Sequence, residues 1–196
     1  MAIRPYHFMT TSFFSVLEKT YHAQAKARGE VIRASSQALN ISKRAIFALH
    51  RGDTTQAEAL LKEASDHFAG CEKLFKTFPS LKEGAYTAAL EEYAEALLFR
   101  QYVEKKSMGK IEKRAMTTEV YLGGLSDATG EIVRYAMRQA TQGNMKAVSE
   151  AEKIVSQVVE DLLRLDLTGY LRQKFDQAKK NLRQLEQILY DISRRG

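Results

Sequence analysis

Apolar residues recur three and four positions apart along almost the whole chain, which is the spacing of one face of an α-helix. No segment of useful length alternates apolar and polar residues, as a half-buried β-strand would. Only 2 prolines interrupt the 196 residues, and residue types that favour helices are abundant. The sequence therefore predicts an all-α bundle of about six helices, several of them long, that forms one domain over residues 1–196.

Helix breakers and capping residues predict the ends of the first two helices. The first helix should run from about Thr11 to His50 and stop at Gly52, which makes it about 60 Å long. Asp53 or Thr54 can cap the second helix, the pattern from Thr55 to Glu58 also fits a capping box, and Pro79 should stop the helix.

The same signals place the later helices. The pattern from Ser80 to Glu83 fits a capping box, which should open a third helix that extends to about Lys105. A turn around Gly109 should precede a fourth helix from about 111 to 142, and Asn144 should cap the fifth. Regular apolar seams on long helices often serve assembly as well as folding, so we expect an oligomer. The seam of the fifth helix consists of Val148, Ala151, Val155, Val158, Leu162 and Leu165.

The net charge of +6 is concentrated in two predicted basic helices, because residues 17–51 hold seven basic and two acidic side chains and residues 164–196 hold eight basic and four acidic ones. Such a helix suits a polyanion such as nucleic acid. The candidate phosphate contacts are Lys26, Arg28, Arg33, Lys43 and Arg44. The single Cys71 cannot form an internal disulfide, and no apolar run is long enough to span a membrane. We therefore expect a cytoplasmic protein without a membrane partner.

The stretch from Tyr121 to Arg134 breaks the helical rules that the rest of the chain obeys. Its three glycines each cost a helix roughly 1 kcal/mol relative to alanine, so something should approach the backbone closely there. Asp127 and Glu131 lie four positions apart and therefore share a helical face. Two interpretations remain open, a ligand site or a tight helix crossing with a surface pair between Glu131 and Arg134.

A second acidic pair, Glu92 and Glu95, lies three positions apart on a mostly apolar stripe of the predicted third helix. Burying unpaired carboxylates is expensive. A cation, a shared proton or basic side chains of a neighbouring helix must therefore compensate these two acids.

If the third and fourth helices pack side by side, the two acidic pairs converge. Hard oxygen ligands in that number suit Mg²⁺ or Mn²⁺, and such ions activate water for phosphodiester hydrolysis. A carboxylate can also act as general base for that water. The Glu-x-x-His motifs of di-iron bundles, nucleophile triads and phosphate-binding glycine loops are all missing from the sequence.

Three segments resemble the translin superfamily, and more closely its branch of translin-associated factor X. The first is EEYAEALLF from Glu91 to Phe99, and the second is YLGGLSDATGEIVRY from Tyr121 to Tyr135. The third is the C-terminal segment from Lys174 to Gly196. Their order and spacing agree with the family over residues 91–196, about half of the chain.

This resemblance implies a translin-like fold, a hollow octameric assembly and metal-dependent endoribonuclease activity on single-stranded RNA. Glu92, Glu95 and Asp127 would be the catalytic and metal-binding residues, with Glu131 as a further metal ligand. Arg134 would neutralise the acids or contact phosphate, unless it forms only a structural salt bridge. Assembly in this family can be homo- or hetero-oligomeric, so a translin-like sister chain is an alternative partner.

Three functions therefore compete at this stage. The first is the metal-dependent endoribonuclease, and the second is a translin-like oligomer that binds single-stranded RNA or DNA without cleaving it. The third is a scaffold whose apolar seams build an assembly without affinity for nucleic acid. The four acids favour the first function, because acids near phosphate repel it unless a metal ion lies between them.

Overall fold

A computed structural model describes residues 11–82, 84–105, 108–112 and 114–194 of the chain. These residues form an all-α fold and contain no β-strand, as predicted. A short 3₁₀ turn at Pro79–Leu81 lies between the second and third helices. The described ranges contain six α-helices, which are α1 Thr11–His50, α2 Thr54–Phe75, α3 Ala85–Val103, α4 Thr118–Thr141, α5 Lys146–Leu163 and α6 Gly169–Ser193.

The helices pack in an order that puts α3 and α4 at the centre. Helix α1 packs against α2 and α3, which also contact each other, and α3 packs against α4. Helix α4 in turn packs against both α5 and α6, which also contact each other. Side chains from α1 and α6 can therefore reach the acids of α3 and α4.

Helix α1 has the predicted bounds, and only its C-terminal part is buried. Its first buried side chain is Ala27, and the buried face continues from there to His50. The first four turns instead expose large apolar side chains, including Phe13, Phe14 and Tyr21. Gly52 follows the helix with φ of +81°, which glycine adopts without strain.

The N-terminus of α2 is also as predicted, because the Asp53 side chain accepts a hydrogen bond from the backbone N–H of Gln56 at 2.9 Å. The predicted C-terminus is wrong, since α2 ends at Phe75 rather than at Pro79. Pro79 instead opens the 3₁₀ turn, and Ser80 lies inside that turn rather than capping α3. Glu83 of the predicted capping box lies outside the described residues.

Two further predicted boundaries are wrong. Helix α4 begins at Thr118 and not near Ile111, and the Thr117 side chain caps it by accepting from the Val120 N–H at 3.3 Å. The N-cap of α5 is Met145 rather than Asn144. The predicted turn around Gly109 begins at Ser107, which lies outside the described residues.

Residues 114–117, directly before α4, stay non-helical because the Arg114 side chain binds to α2. The Arg114 guanidinium pairs with the Glu72 carboxylate and donates to the Ser65 carbonyl at 2.8 Å. The same group lies 5.2 Å from the centre of the Phe68 ring. These contacts with a distant part of the chain outweigh the local helical pattern.

The core follows the apolar seams with one exception at the end of α5. Val148, Ala151, Val155, Val158 and Leu162 are buried as predicted. Leu165 is half exposed, because α5 ends before it at Leu163. None of the helices within the described ranges is both long and apolar enough to cross a lipid bilayer.

Candidate carboxylate site between α1, α3, α4 and α6

The glycines of α4 let it pack directly on the backbone of α3. A Cβ atom added at Gly124 would lie 2.8 Å from the Ala94 Cβ and 2.9 Å from the backbone nitrogen of Glu95. At Gly123 it would overlap the Glu91 carboxylate, whereas at Gly130 it would lie 3.4 Å from Asn181 Nδ2. Gly123 and Gly124 therefore set the close approach of the two helices.

This crossing brings the two predicted acidic pairs together. Burial raises the pKa of Glu95 to about 9, and the negative charges of Glu92, Asp127 and Glu131 add to the effect. All four carboxylates are partly buried, with Glu92 at 19%, Glu131 at 22% and Asp127 at 28% side-chain exposure. Because they share one half-buried groove, the other three carboxylates make Glu95 harder to ionise.

Lys43 of α1 is the basic partner of Glu92. Its ammonium lies 3.8 Å from Glu92 Oε2, and its side chain is 53% exposed. Burial raises the pKa of Glu92 above its ordinary value, Lys43 opposes that rise, and Asp127 and Glu131 reinforce it. The sequence prediction assigned Lys43 to nucleic acid, but here its nearest charged neighbour is an acid of the site.

Asp127 is paired with Lys174 of α6. The Lys174 ammonium donates to the Asp127 carboxylate and lies 2.9 Å from Glu91 Oε1. The Tyr170 hydroxyl donates to the same Glu91 oxygen at 2.5 Å. Burial raises the pKa of Asp127, and Lys174 only partly offsets this rise. Burial lowers the pKa of Lys174, but hydrogen bonds with Asp127, Tyr170 and Glu91 outweigh it and leave the pKa raised.

Glu131 is held by His50 at the C-terminal end of α1. The contact with a carboxylate places the imidazole proton on Nε2, which donates to Glu131 Oε2. The imidazole is buried against the Phe99 ring, at 4.8 Å between centroids, and its Nδ1 atom finds no hydrogen-bond partner among the residues that the structure describes. Arg134 is 3.7 Å from the same Glu131 oxygen and stacks over Phe47 at 5.2 Å.

Glu95 differs from the other three acids, since no hydrogen bond or ion pair to its carboxylate occurs within the described ranges. No three His, Cys, Asp or Glu side chains of these ranges already stand in metal-ligand geometry. The carboxylates of Glu92, Asp127 and Glu131 are turned towards Lys43, Lys174 and His50 instead. The donor set itself, four clustered carboxylates of which one makes no ion pair within the described ranges, fits a hard divalent cation such as Mg²⁺ or Mn²⁺.

The basic residues of α1 lie on different sides of that helix. Lys26, Arg33 and Arg44 are exposed and fall within about 20° of one another at 100° per residue, so they form one stripe. Arg28 is also exposed but points to nearly the opposite side of the helix from Lys26. The six predicted nucleic-acid contacts thus divide into a three-residue stripe, the isolated Arg28, and Lys43 and Arg134 beside the acids.

Three residues of the site were missed at the level of sequence, namely Glu91, Lys174 and His50. Glu91 precedes the predicted pair directly, and Lys174 opens the third segment that resembles the translin superfamily. Glu91 and Lys174 could therefore have been identified from the sequence. No local pattern marks His50, because it meets Glu131 across 81 positions of the chain.

Comparisons with known proteins agree with this architecture. The sequence profile of the Translin family matches residues 26–196. The Translin-associated protein X homolog of Schizosaccharomyces pombe is 22% identical over 183 residues, which cover 83% of this chain and 79% of that protein. The crystal structure of apo-NeC3PO has a TM-score of 0.84 at 24% identity and covers 92% of this chain and 97% of that chain. A complex of AfC3PO with duplex RNA has a TM-score of 0.81 at 22% identity and covers 92% of this chain and 97% of that chain.

Proposed function

Because the chain belongs to the Translin family, we propose that it is a metal-dependent endoribonuclease that hydrolyses phosphodiester bonds of single-stranded RNA. The observation that carries this proposal is the Glu95 carboxylate, which lies among three other acids and makes no hydrogen bond or ion pair with any residue that the structure describes. A cluster of this kind needs a bound cation or a proton to be stable in its half-buried groove. A metal-dependent nuclease is the function in which such a cluster has a direct use.

Glu92, Glu95 and Asp127 would hold Mg²⁺ or Mn²⁺, and Glu131 would be a further or outer ligand. When bound, such an ion polarises the phosphodiester and lowers the pKa of a water molecule. An ionised carboxylate of the same cluster would orient the attacking water and accept its proton. His50 would hold Glu131 in place, because its imidazole is buried and cannot turn away from that carboxylate without leaving the core.

The RNA backbone would contact the exposed stripe of Lys26, Arg33 and Arg44, with Arg134 near the acids as a further phosphate contact. The related AfC3PO has been crystallised with duplex RNA, so duplex RNA belongs in the test beside single-stranded RNA and DNA. Assembly with further copies, or with a related chain, would cover the apolar side chains of the first turns of α1. Phe13, Phe14, Val16, Leu17 and Tyr21 are each at least 44% exposed there.

The decisive experiment measures cleavage of a labelled single-stranded RNA by the purified chain with Mg²⁺, Mn²⁺ or EDTA. Glu95→Gln and Asp127→Asn each remove a carboxylate that would bind the metal ion, and both should abolish cleavage while leaving the fold intact. Glu160→Gln is the matched control, because Glu160 is exposed on α5 away from the groove. Cleavage by the two site variants at the wild-type rate would remove these residues from the mechanism.

A second candidate function rests on the basic partners of the cluster. Lys43, Lys174 and His50 already contact three of the four acids, which suits a structural role for the acids in a protein that binds nucleic acid without cutting it. RNA binding without metal-dependent cleavage in the same experiment would favour this translin-like binder, or an enzyme that needs a sister chain. Adding a translin-like partner chain to the reaction distinguishes these two outcomes.

A further inference from the structure

We propose that Lys174 is an internal cation that competes with divalent metal for the Asp127 carboxylate, and so sets how tightly the site binds metal. The inference rests on the proposed function, because it concerns the same carboxylate cluster. It assigns a role to a residue of α6, which contributes none of the four predicted metal ligands.

The position of Lys174 is fixed from three sides. Its ammonium contacts the Asp127 carboxylate, lies 2.9 Å from Glu91 Oε1, and sits 5.1 Å from the centre of the Tyr170 ring. The Tyr170 hydroxyl also donates to Glu91, so the second carboxylate is itself held in place. The side chain of Lys174 is only 20% exposed, which leaves it little freedom to swing into solvent.

The lysine and arginine neighbours of the cluster other than Lys174 are held much more loosely. The side chains of Lys43 and Arg134 are 53% and 55% exposed, and their contacts with Glu92 and Glu131 are 3.8 and 3.7 Å long. Such pairs are screened by water and contribute little. Lys174 is therefore the one lysine or arginine of the described site that is both half-enclosed and shared between two carboxylates.

An ammonium group and a divalent cation would bind the same part of Asp127, because each is attracted by the negative charge of its carboxylate. Two cations on one half-buried carboxylate repel each other with little screening. A metal ion that uses Asp127 must therefore displace Lys174 from it. Glu91 can retain the ammonium at that point, since it belongs to neither predicted acidic pair and contacts Lys174 independently.

If Lys174 competes with metal for Asp127, replacing Lys174 should change the affinity of the site for metal in a defined direction. Removing the ammonium should free Asp127 and leave the cluster more negative, which favours metal. If Lys174 instead positioned Asp127 for the metal ion, its removal would weaken metal binding. The two roles thus give opposite signs in a measurement that does not depend on activity.

The test is calorimetric titration of Mn²⁺ into the full-length wild-type chain, Lys174→Met and Lys179→Met. Lys179 lies on the same helix but pairs with Asp176 at 2.7 Å and covers the Phe175 ring, so its variant removes an equal charge outside the site. We expect Lys174→Met to bind Mn²⁺ at least tenfold more tightly than the wild type, and Lys179→Met to bind like the wild type. Mn²⁺ should also raise the Tm of Lys174→Met more than that of the wild type.

Unchanged or weaker Mn²⁺ binding by Lys174→Met would overturn the inference, as would equal tightening in Lys179→Met. If Lys174→Met does not fold, Lys174→Gln preserves hydrogen bonding without the charge and carries the same expectation. Metal-dependent RNA cleavage by the wild type together with unchanged Mn²⁺ affinity in the variant would reject only the competition. Tighter Mn²⁺ binding in the variant without any RNA cleavage would reject only the nuclease, and no Mn²⁺ binding by any variant would reject both.

Discussion

The Cα atom of Gly124 on α4 lies so close to α3 that an added Cβ would come within 2.9 Å of the Glu95 backbone nitrogen. The residue that makes the helix crossing possible therefore also positions the acid with the most perturbed pKa. The close helix contact and the acidic site, which the sequence left as alternatives, occur together at this crossing.

We expect Gly124→Ala to lower the free energy of unfolding by about 1–3 kcal/mol, because its Cβ would meet backbone atoms that cannot move alone. Gly130→Ala is the matched control on the same helix. Its Cβ would meet only the end of the Asn181 side chain at 3.4 Å, and alanine favours the helix by roughly 1 kcal/mol. Urea unfolding followed by circular dichroism measures both variants, and equal losses of stability would contradict this account of the crossing.

The stability of the metal-free protein should fall as pH rises, because the pKa of Glu95 is about 9 in the folded state against an ordinary value of 4.5. Between these values the folded state binds more protons than the unfolded state. The contribution of Glu95 to the free energy of unfolding is therefore complete below its ordinary pKa. It is lost as the pH rises through its pKa in the folded state.

Glu95→Gln removes this titration. In EDTA, the Tm of Glu95→Gln minus that of the wild type should increase steadily from pH 5 to pH 9. Glu160→Gln is the control variant for these scans, because Glu160 is exposed on α5. A constant difference for Glu95→Gln in thermal scans across this range would mean that Glu95 ionises freely in the fold.

His50→Ala should lower the free energy of unfolding by about 2 kcal/mol or more. The change leaves a cavity beside Phe99 and removes the hydrogen-bond donor of the partly buried Glu131. His67→Ala on α2 serves as the comparison, because His67 is only partly buried. Chemical unfolding of the two variants gives the values, and a loss no greater than that of His67→Ala would show that His50 does not support the site.

Arg33→Gln should weaken binding to single-stranded RNA more at low salt than at high salt. Each phosphate contact contributes about 0.7 to the slope of log K against log salt concentration on single strands, so the slope should become shallower by about that amount. Arg28→Gln removes the same charge from nearly the opposite side of α1 and should leave the slope unchanged. Fluorescence anisotropy at several salt concentrations measures both, and the same slope change in both variants would dismiss the stripe as the RNA contact.

Much of the fold could be predicted because helical periodicity and capping act over a few residues. The bounds of α1 and the Asp53 cap depend on neighbours within one turn, and both are as predicted. The start of α4 could not be predicted, because Arg114 binds Ser65 and Glu72 on α2 more than forty positions away. The local pattern after Ile111 is compatible with a helix, and only this distant contact overrides it.

The sequence by itself determined that two pairs of acids share helical faces, since spacings of three and four residues bring side chains together on any helix. Only the tertiary structure decided what surrounds them. Lys174 meets Asp127 across 47 positions, and His50 meets Glu131 across 81. The physical reason is that a carboxylate's environment depends on which other helices pack against its own. Here that packing depends on the glycines that bring α4 onto α3.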